Sequence, residues 1–407
     1  MSSEHRHLKQ HLDDLSKKTE LSVEQKDHYR MYWDYTSPYS NKVRAYFNYK
    51  EIPYKLMQTT TEDYREKIPA MVGMSIIPVI LTPDDEVMQD STPMMEWFEK
   101  KYPEKSAIPE DSRLAWIMWL IEEFSDEYMP RFAMRTRWGT EASQRTLSSR
   151  IARSFTYGHP TEITKMGSQM ILDRQSGFNV AIAIEKEEDC QSVDQQLLDF
   201  LKILDTHLSE YAYLLGDRPS IADFAIFGSL WAQGFNDPWA AEILEVNAPQ
   251  VCNWLQEIAN IGDSRGCLGR DEFGDWLDLE SELPDTLIQL VSFIAKTYLP
   301  QALGYRDAMV SGDKRFTATI YGIETELFAF EYRAGTFAEL QQKFANLEVP
   351  QQAWIETALT SSGLFPSLMA GEIKPNPHFA KLTVPFVTDP ALNGLAYKGE
   401  DPQIIVN

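Results

Sequence analysis

A strand that runs without a break into a capped helix is the tightest constraint in this sequence. From Met31 to Phe47 the chain reads MYWDYTSPYSNKVRAYF. Its apolar start predicts a strand over Arg30 to Tyr35, and Val43, Tyr46 and Phe47 at helical spacing predict a helix from Tyr39 to Lys50. Between them stands Ser37-Pro38, a hydroxyl at the cap followed by proline at the first helical position. A strand that stops at a helix N-terminus aims unpaired N–H groups and one hydroxyl at a single point, which suits a small anion. Ser37 is therefore either a plain cap or a hydrogen-bond donor to a thiolate, whose pKa such a donor lowers.

The surrounding segments predict a βαβ-ββα unit. Tyr54 to Thr59 reads as a second strand, 61–70 as helix or loop, and Pro78 to Leu81 as a third strand. Pro83-Asp84-Asp85 turns the chain into a fourth strand, Glu86 to Gln89, after which Ser91 opens a helix that Pro103 stops. Pro78 is either an edge-strand proline or part of a cis bond that turns neighbouring backbone groups outward. At Asp90-Ser91 the serine caps the helix, and the same pair could hold a carboxylate and an ammonium.

Beyond a linker at Pro103 to Pro109 the pattern is helical only. Leu114, Ile117, Met118, Ile121 and Phe124 mark a long buried face within one helix from Arg113 to Trp138. Gln144 to Tyr157, Val193 to Leu208 and Pro249 to Ala259 read as further helices, while 160–190 fits helix or loop. Ser220-Ile221-Ala222-Asp223 is a capping box, a structural helix start. After an acidic connector from Gly262 to Leu283, Leu283 to Met309 reads as helix that Pro300 should kink or end. Thr317 to Phe330 fits strand or helix, 350–370 reads as helical, and Pro375, Pro377, Pro385, Pro390 and Pro402 predict extended surface chain. There is no internal repeat.

At 407 residues the chain exceeds one core and suggests two or three domains. A formal charge of −23 argues against nucleic acid and anionic membranes as partners, because both reward a basic face. Any anionic substrate must be held by local dipoles and local cations. Cys190, Cys252 and Cys267 are widely spaced and odd in number, which predicts neither a disulfide framework nor a zinc site. His5, His7 and His11 lie in a polar N-terminal arm and read as solvated, so no metal is expected. With no apolar leader and no run of about 18 apolar residues, the expected setting is cytoplasmic.

Taken in order, Ser37-Pro38-Tyr39-Ser40 with Lys42-Val43-Arg44, Ile77-Pro78-Val79, Gln89-Asp90-Ser91 and the Ser220 capping box resemble the cytosolic glutathione transferase superfamily. The resemblance implies an α+β thioredoxin-like glutathione-binding domain over 28–103 and an all-helical domain over 110–262. A polar arm, 1–27, precedes them, and a mostly helical extension of unassigned role, 283–407, follows. It implies Ser37 as the catalytic position, Ile77 and Pro78 as the backbone partner of the cysteinyl part of glutathione, and Asp90 and Ser91 as receivers of the γ-glutamyl group. Tyr32, Tyr35 and Tyr39 compete with Ser37 for the thiol. Candidates for the second-substrate pocket are Tyr39, Tyr128, Arg131, Arg135, Arg137 and Trp138, the charged ones reading otherwise as a solvated face that complements the helix dipole. Ser37 and Ser40 stand where a glutaredoxin-like C-P-Y-C has cysteine, so the implied reaction is conjugation of glutathione to a small electrophilic or aromatic substrate. The alternatives are a non-catalytic module and glutathione-dependent isomerase or lyase chemistry. The family also implies a homodimer.

Overall fold

A computed structural model describes residues 27–262, 273–280, 282–365, 368 and 385–388. The three arm histidines, Cys267 and prolines 375, 377, 390 and 402 lie outside the described residues. The expected first unit is present. Strand β1 (Tyr29–Trp33) feeds helix α1 (Pro38–Lys50), and the chain returns as β2 (Tyr54–Gln58), parallel to β1. Ser37 Oγ accepts the Ser40 N–H at 3.2 Å, and Asn41 Nδ2 donates to the carbonyls of Tyr35 and Ser37 at 2.9 and 2.8 Å. These bonds fix the loop before α1 from both sides. Segment 61–70 is helical, as a π-helical turn (Asp63–Lys67) running into α2 (Ile68–Val72). Strands β3 (Val79–Leu81) and β4 (Val87–Gln89) and helix α3 (Ser91–Lys101) complete the unit. The sheet order is β2-β1-β3-β4, with β3 antiparallel to both neighbours.

The helical section starts with α4 (Ser112–Glu127) and α5 (Pro130–Trp138), two helices where the sequence suggested one. Pro130 has no N–H to bond back and starts a new helix instead of extending the old one. Then follow α6 (Glu141–Phe155), α7 (Thr161–Ala181), α8 (Glu187–Leu208) and α9 (Ile221–Ser229). Most of 160–190 is thus helix. A π-helical turn (Leu230–Phe235), α10 (Pro238–Asn247) and α11 (Pro249–Ala259) end the section. The capping box closes α9 in both directions, Ser220 N–H to Asp223 Oδ2 being 2.8 Å. Helix α9 lies across α1, with Phe224 against Tyr46 and Tyr49 (ring centroids 5.9 and 5.5 Å) and Gly228 opposite Pro38 and Lys42.

In the extension, α12 (Asp285–Ser311) passes through Pro300 without ending. Burial of Tyr298, Leu299 and Ala302 around the proline offsets the missing hydrogen bond. Thr317 to Phe330 is a hairpin, β5 (Arg315–Ile320) and β6 (Ile323–Phe328), whose turn residues Tyr321 and Gly322 both have positive φ, 52° and 84°. Helix α13 (Glu331–Ala345) packs on α4, where Phe344 meets Trp116 at 5.1 Å, and α14 (Val349–Ala358) follows. Residues 385–387 return to the first unit. Gln89 N–H donates to the Pro385 carbonyl and Val387 N–H to the Val87 carbonyl, at 2.8 and 2.9 Å, so residues 385–387 cover the β4 edge. No helix among the described residues is long and apolar enough to cross a membrane.

One buried ion cluster joins the three parts. Lys42 of α1, 1% exposed, places Nζ 2.6 Å from both Glu122 Oε1 and Asp126 Oδ2 of α4. Burial opposes its charge, but Asp126 and Glu122 outweigh that cost and hold its pKa above the usual lysine value. Thr92 of α3 donates to the same Glu122 oxygen at 2.5 Å. From the extension, Tyr298 donates to Glu123 at 2.7 Å and Arg333 pairs with Glu127 at 3.0 Å. Burial raises the Glu123 carboxyl well above its ordinary value and pushes Glu127 up to about 7, its neighbouring acids adding to the effect.

Two outcomes are expected. A carboxyl whose pKa is raised by folding keeps its proton in the native state after the unfolded chain has released it. The stabilisation from Glu127 is therefore complete below its ordinary value of 4.5 and is lost as pH rises through about 7. Unfolding free energy measured in urea should fall by at least about 1 kcal/mol between pH 5 and 8, with a shallower slope in Glu127→Gln; a flat or rising profile contradicts the cluster. Gly228→Ala places a methyl 2.5 Å from the Pro38 carbonyl oxygen. It should cost about 1 to 3 kcal/mol, and an unchanged urea midpoint contradicts the close crossing of α9 over α1.

Candidate functional site

The strand register brings three sequence-distant segments to one end of the sheet. Tyr32 of β1 lies opposite Val79 of β3, and Val79 lies opposite Gln89 of β4. Ser37 follows the first of these residues, Ile77-Pro78 precedes the second and Asp90-Ser91 follows the third. The Ile77–Pro78 peptide is cis. Asp90 has φ 75° and ψ 118°, a left-handed conformation that costs a non-glycine residue about 1 to 3 kcal/mol and tends to occur where function requires it. The expected serine cap of α3 is corrected here. Asp90 holds the cap position without a side-chain cap bond, and Ser91 is the first helical residue.

At the Ser37 end, the loop is locked by Arg137 of α5. Its guanidinium donates to the Thr36 carbonyl at 3.2 Å and the Ala232 carbonyl at 2.9 Å, and pairs with Asp237 at 2.6 Å. Ser37 is half-buried, and no described residue accepts its hydroxyl proton, so Ser37 can donate while accepting from Ser40. Tyr39, the nearest rival, gives its hydroxyl to the Asp126 carbonyl at 2.9 Å. Tyr35 keeps a pKa above the ordinary phenol value through burial, with Asp34 adding to the rise.

At the Asp90 end, Tyr332 of the extension donates its hydroxyl to Asp90 Oδ2 at 2.8 Å. Burial pushes the Asp90 carboxyl up to about 6, against the hydrogen bond from Tyr332 and the charge of Lys42. A cleft of about 40 Å³ opens beside it, lined among others by Thr92, Trp119, Glu122 and Thr336. That space admits a charged head group or a few waters, and no more.

The other second-substrate candidates have structural partners. Tyr128 is fully buried, with its hydroxyl 2.5 Å from Gln196 Oε1. Arg131 donates to the carbonyls of Ile182 and Ala183 at 3.1 and 3.2 Å, and Arg135 forms a paired bridge to Asp194 at 2.8 and 2.7 Å. Trp138 is packed in the core. What the periodicity did not separate is a second aromatic stripe. The π-helical turn after α9 carries Trp231 and Phe235, and its Ala232 carbonyl accepts from the same Arg137 that holds the Thr36 carbonyl, so this turn lies beside the loop before α1. Their rings stack at 5.2 Å and 5°, and both are partly buried against the core.

Comparison with known proteins identifies two domains. Residues 31–106 match the glutathione S-transferase N-terminal domain and residues 156–261 the glutathione S-transferase C-terminal domain. Similar solved structures include a glutathione S-transferase from Rhodospirillum rubrum, 16% identical with TM-score 0.41, covering 58% of this chain and 90% of that one. A beta-etherase from Sphingobium is 17% identical with TM-score 0.42, covering 57% and 94%. A glutathione transferase family member from Pseudomonas fluorescens, with two glutathione bound, is 18% identical with TM-score 0.37, covering 57% and 89%. No curated protein matches the chain. The chain thus carries matches to both domains of a glutathione S-transferase, and a C-terminal extension follows them.

Proposed function

We propose that the chain binds glutathione along the end of the sheet and activates its thiol for attack on a small electrophile. The convergence of Ser37, Ile77-Pro78 and Asp90-Ser91 on one sheet end is the observation that carries this reading. The γ-glutamyl group lies at Asp90 and Ser91, its ammonium directed to the carboxylate beside the small cleft. Ile77 and Pro78 meet the cysteinyl backbone. Glutathione's sulfur then reaches the mouth of α1, where Ser37 donates to the thiolate and favours loss of the thiol proton to solvent. The sulfur forms a bond to the electrophilic carbon, and the leaving group departs with its electron pair or the nucleophile simply adds. Trp231 and Phe235 offer a flat apolar wall for an aromatic electrophile. Ser37 and Ser40 lack the thiols needed for disulfide exchange. Glutathione is abundant in the reducing cytoplasm, the setting proposed for the chain. If two copies pair as in other family members, they do so away from the β4 edge that residues 385–387 cover.

A second reading, a non-catalytic module that keeps the fold for interaction, is favoured by the cover that the extension places over Asp90 and β4. Calorimetry with glutathione and a conjugation assay with an aromatic electrophile separate the two. The transferase reading expects Ser37→Ala to retain most glutathione affinity and to lose about 10²-fold in kcat. Wild-type protein that binds no glutathione at millimolar concentration sinks it. Binding without turnover in both proteins supports the module instead.

A further inference from the structure

We propose that the extension completes the amine-binding end of the site, with Tyr332 as a positioning residue that holds the Asp90 carboxylate toward an incoming ammonium. This rests on the reading of that end as the γ-glutamyl subsite. Tyr332 and Arg333 are the second and third residues of α13, and each is tied to a different element of the transferase body. The Tyr332 hydroxyl reaches Asp90 Oδ2 at the β4-to-α3 junction, at 2.8 Å. Arg333 pairs with Glu127 of α4 at 3.0 Å and donates to Tyr305 of α12 at 2.9 Å. Further along α13, Lys343 pairs with Glu96 of α3, and Trp116 of α4 donates to the Leu340 carbonyl at 3.4 Å. The helix is therefore held over the junction at both ends by contacts to α3, α4 and α12, which carry Tyr332 to Asp90.

The geometry distinguishes a wall from a plug. A carboxylate has two oxygens and about four acceptor directions, and Tyr332 uses one direction on Oδ2. Its phenol brings no charge, so Asp90 keeps its attraction for a cation. The cleft beside Asp90 remains open between α3, α4 and α13, with Thr336 one turn beyond Tyr332 on its lining. Glu96 from α3, Glu122, Glu123, Asp126 and Glu127 from α4, and Glu339 and Lys343 from α13 line it, with Lys42 of α1 paired to Glu122 and Asp126 and Arg333 of α13 paired to Glu127. Lys42, Arg333 and Lys343 are each paired with an acid of this set, so no unpaired cation in it opposes an ammonium.

The experiment is calorimetric titration of wild type and Tyr332→Phe from pH 5.5 to 8.5 with two probes: glutathione, and glutathione acetylated on its γ-glutamyl amine. Losing the phenol donor removes an influence that lowers the Asp90 pKa, so its carboxylate forms at higher pH. Tyr332→Phe should bind glutathione about tenfold more weakly at neutral pH, with the acid limb of the affinity profile moved to higher pH and much of the loss recovered at pH 8.5. The acetylated probe should bind both proteins alike, which a packing defect would not produce. Wild type that fails to bind glutathione overturns the reading of the site and this inference with it. Wild type that binds, with Tyr332→Phe showing the same affinity and pH profile, overturns the inference alone, as does tighter binding by the variant or an equal loss for both probes.

Discussion

Everything near the site depends on a single lysine taken out of water. Lys42 stands in the second turn of the helix whose N-terminus carries Ser37, and its ammonium ends between Glu122 and Asp126 of the helical section. Desolvating a cation is tolerable only with good partners, and here both are within 2.6 Å. Such a cluster is a weak source of net stability, but only one docking of α1 on α4 satisfies it. The position of Ser37 against the helical section follows from that docking. Gly228 makes the same demand from the opposite side, because any side chain there would strike Pro38 or Lys42.

The acids around Lys42 also explain why the extension sits where it does. Four carboxyl residues, Glu122, Glu123, Asp126 and Glu127, lie within two turns of α4, each less than a tenth exposed. One lysine does not satisfy them. The extension supplies what is missing, a tyrosine hydroxyl to Glu123 and a guanidinium to Glu127, and Gln301 adds a bond to the Glu127 carbonyl at 3.2 Å. Its tail meanwhile pairs with β4, an edge that would otherwise expose hydrogen-bonding groups to other chains. The surface and the polar interior of the transferase body are thus both completed by residues after 283.

Much of the first domain was legible because its signals are local. Ser37-Pro38 and the Ser220 capping box act within one turn of helix, so sequence spacing specifies them. Pro130 was equally visible, yet the apolar periodicity on either side of it masked the break, since two helices in register over one core share a pattern. Tyr128 and Arg131 looked like a pocket because spacing puts them on one face without saying what that face meets. It meets Gln196, Ile182 and Ala183. The bond from Tyr332 to Asp90 spans 242 residues, and no local rule links a tyrosine in the extension to an aspartate at a strand end.

The two ends of the site are therefore governed by different parts of the chain, with a consequence for how binding and chemistry divide. The loop before α1 is set by Arg137 and the π-helical turn of the helical section, while the Asp90 end is set by α13 of the extension. A contact made equally in the ground state and the transition state lowers KM and leaves kcat alone, whereas one that strengthens as negative charge grows on sulfur raises kcat. On the proposed reading, an ammonium on Asp90 is far from the reacting sulfur and belongs to the first kind, and the Ser37 donor belongs to the second. On that reading, such a chain can change its affinity for the tripeptide through the extension while the loop at Ser37 keeps its own contacts, because Tyr332 sets Asp90 and Arg137 sets that loop.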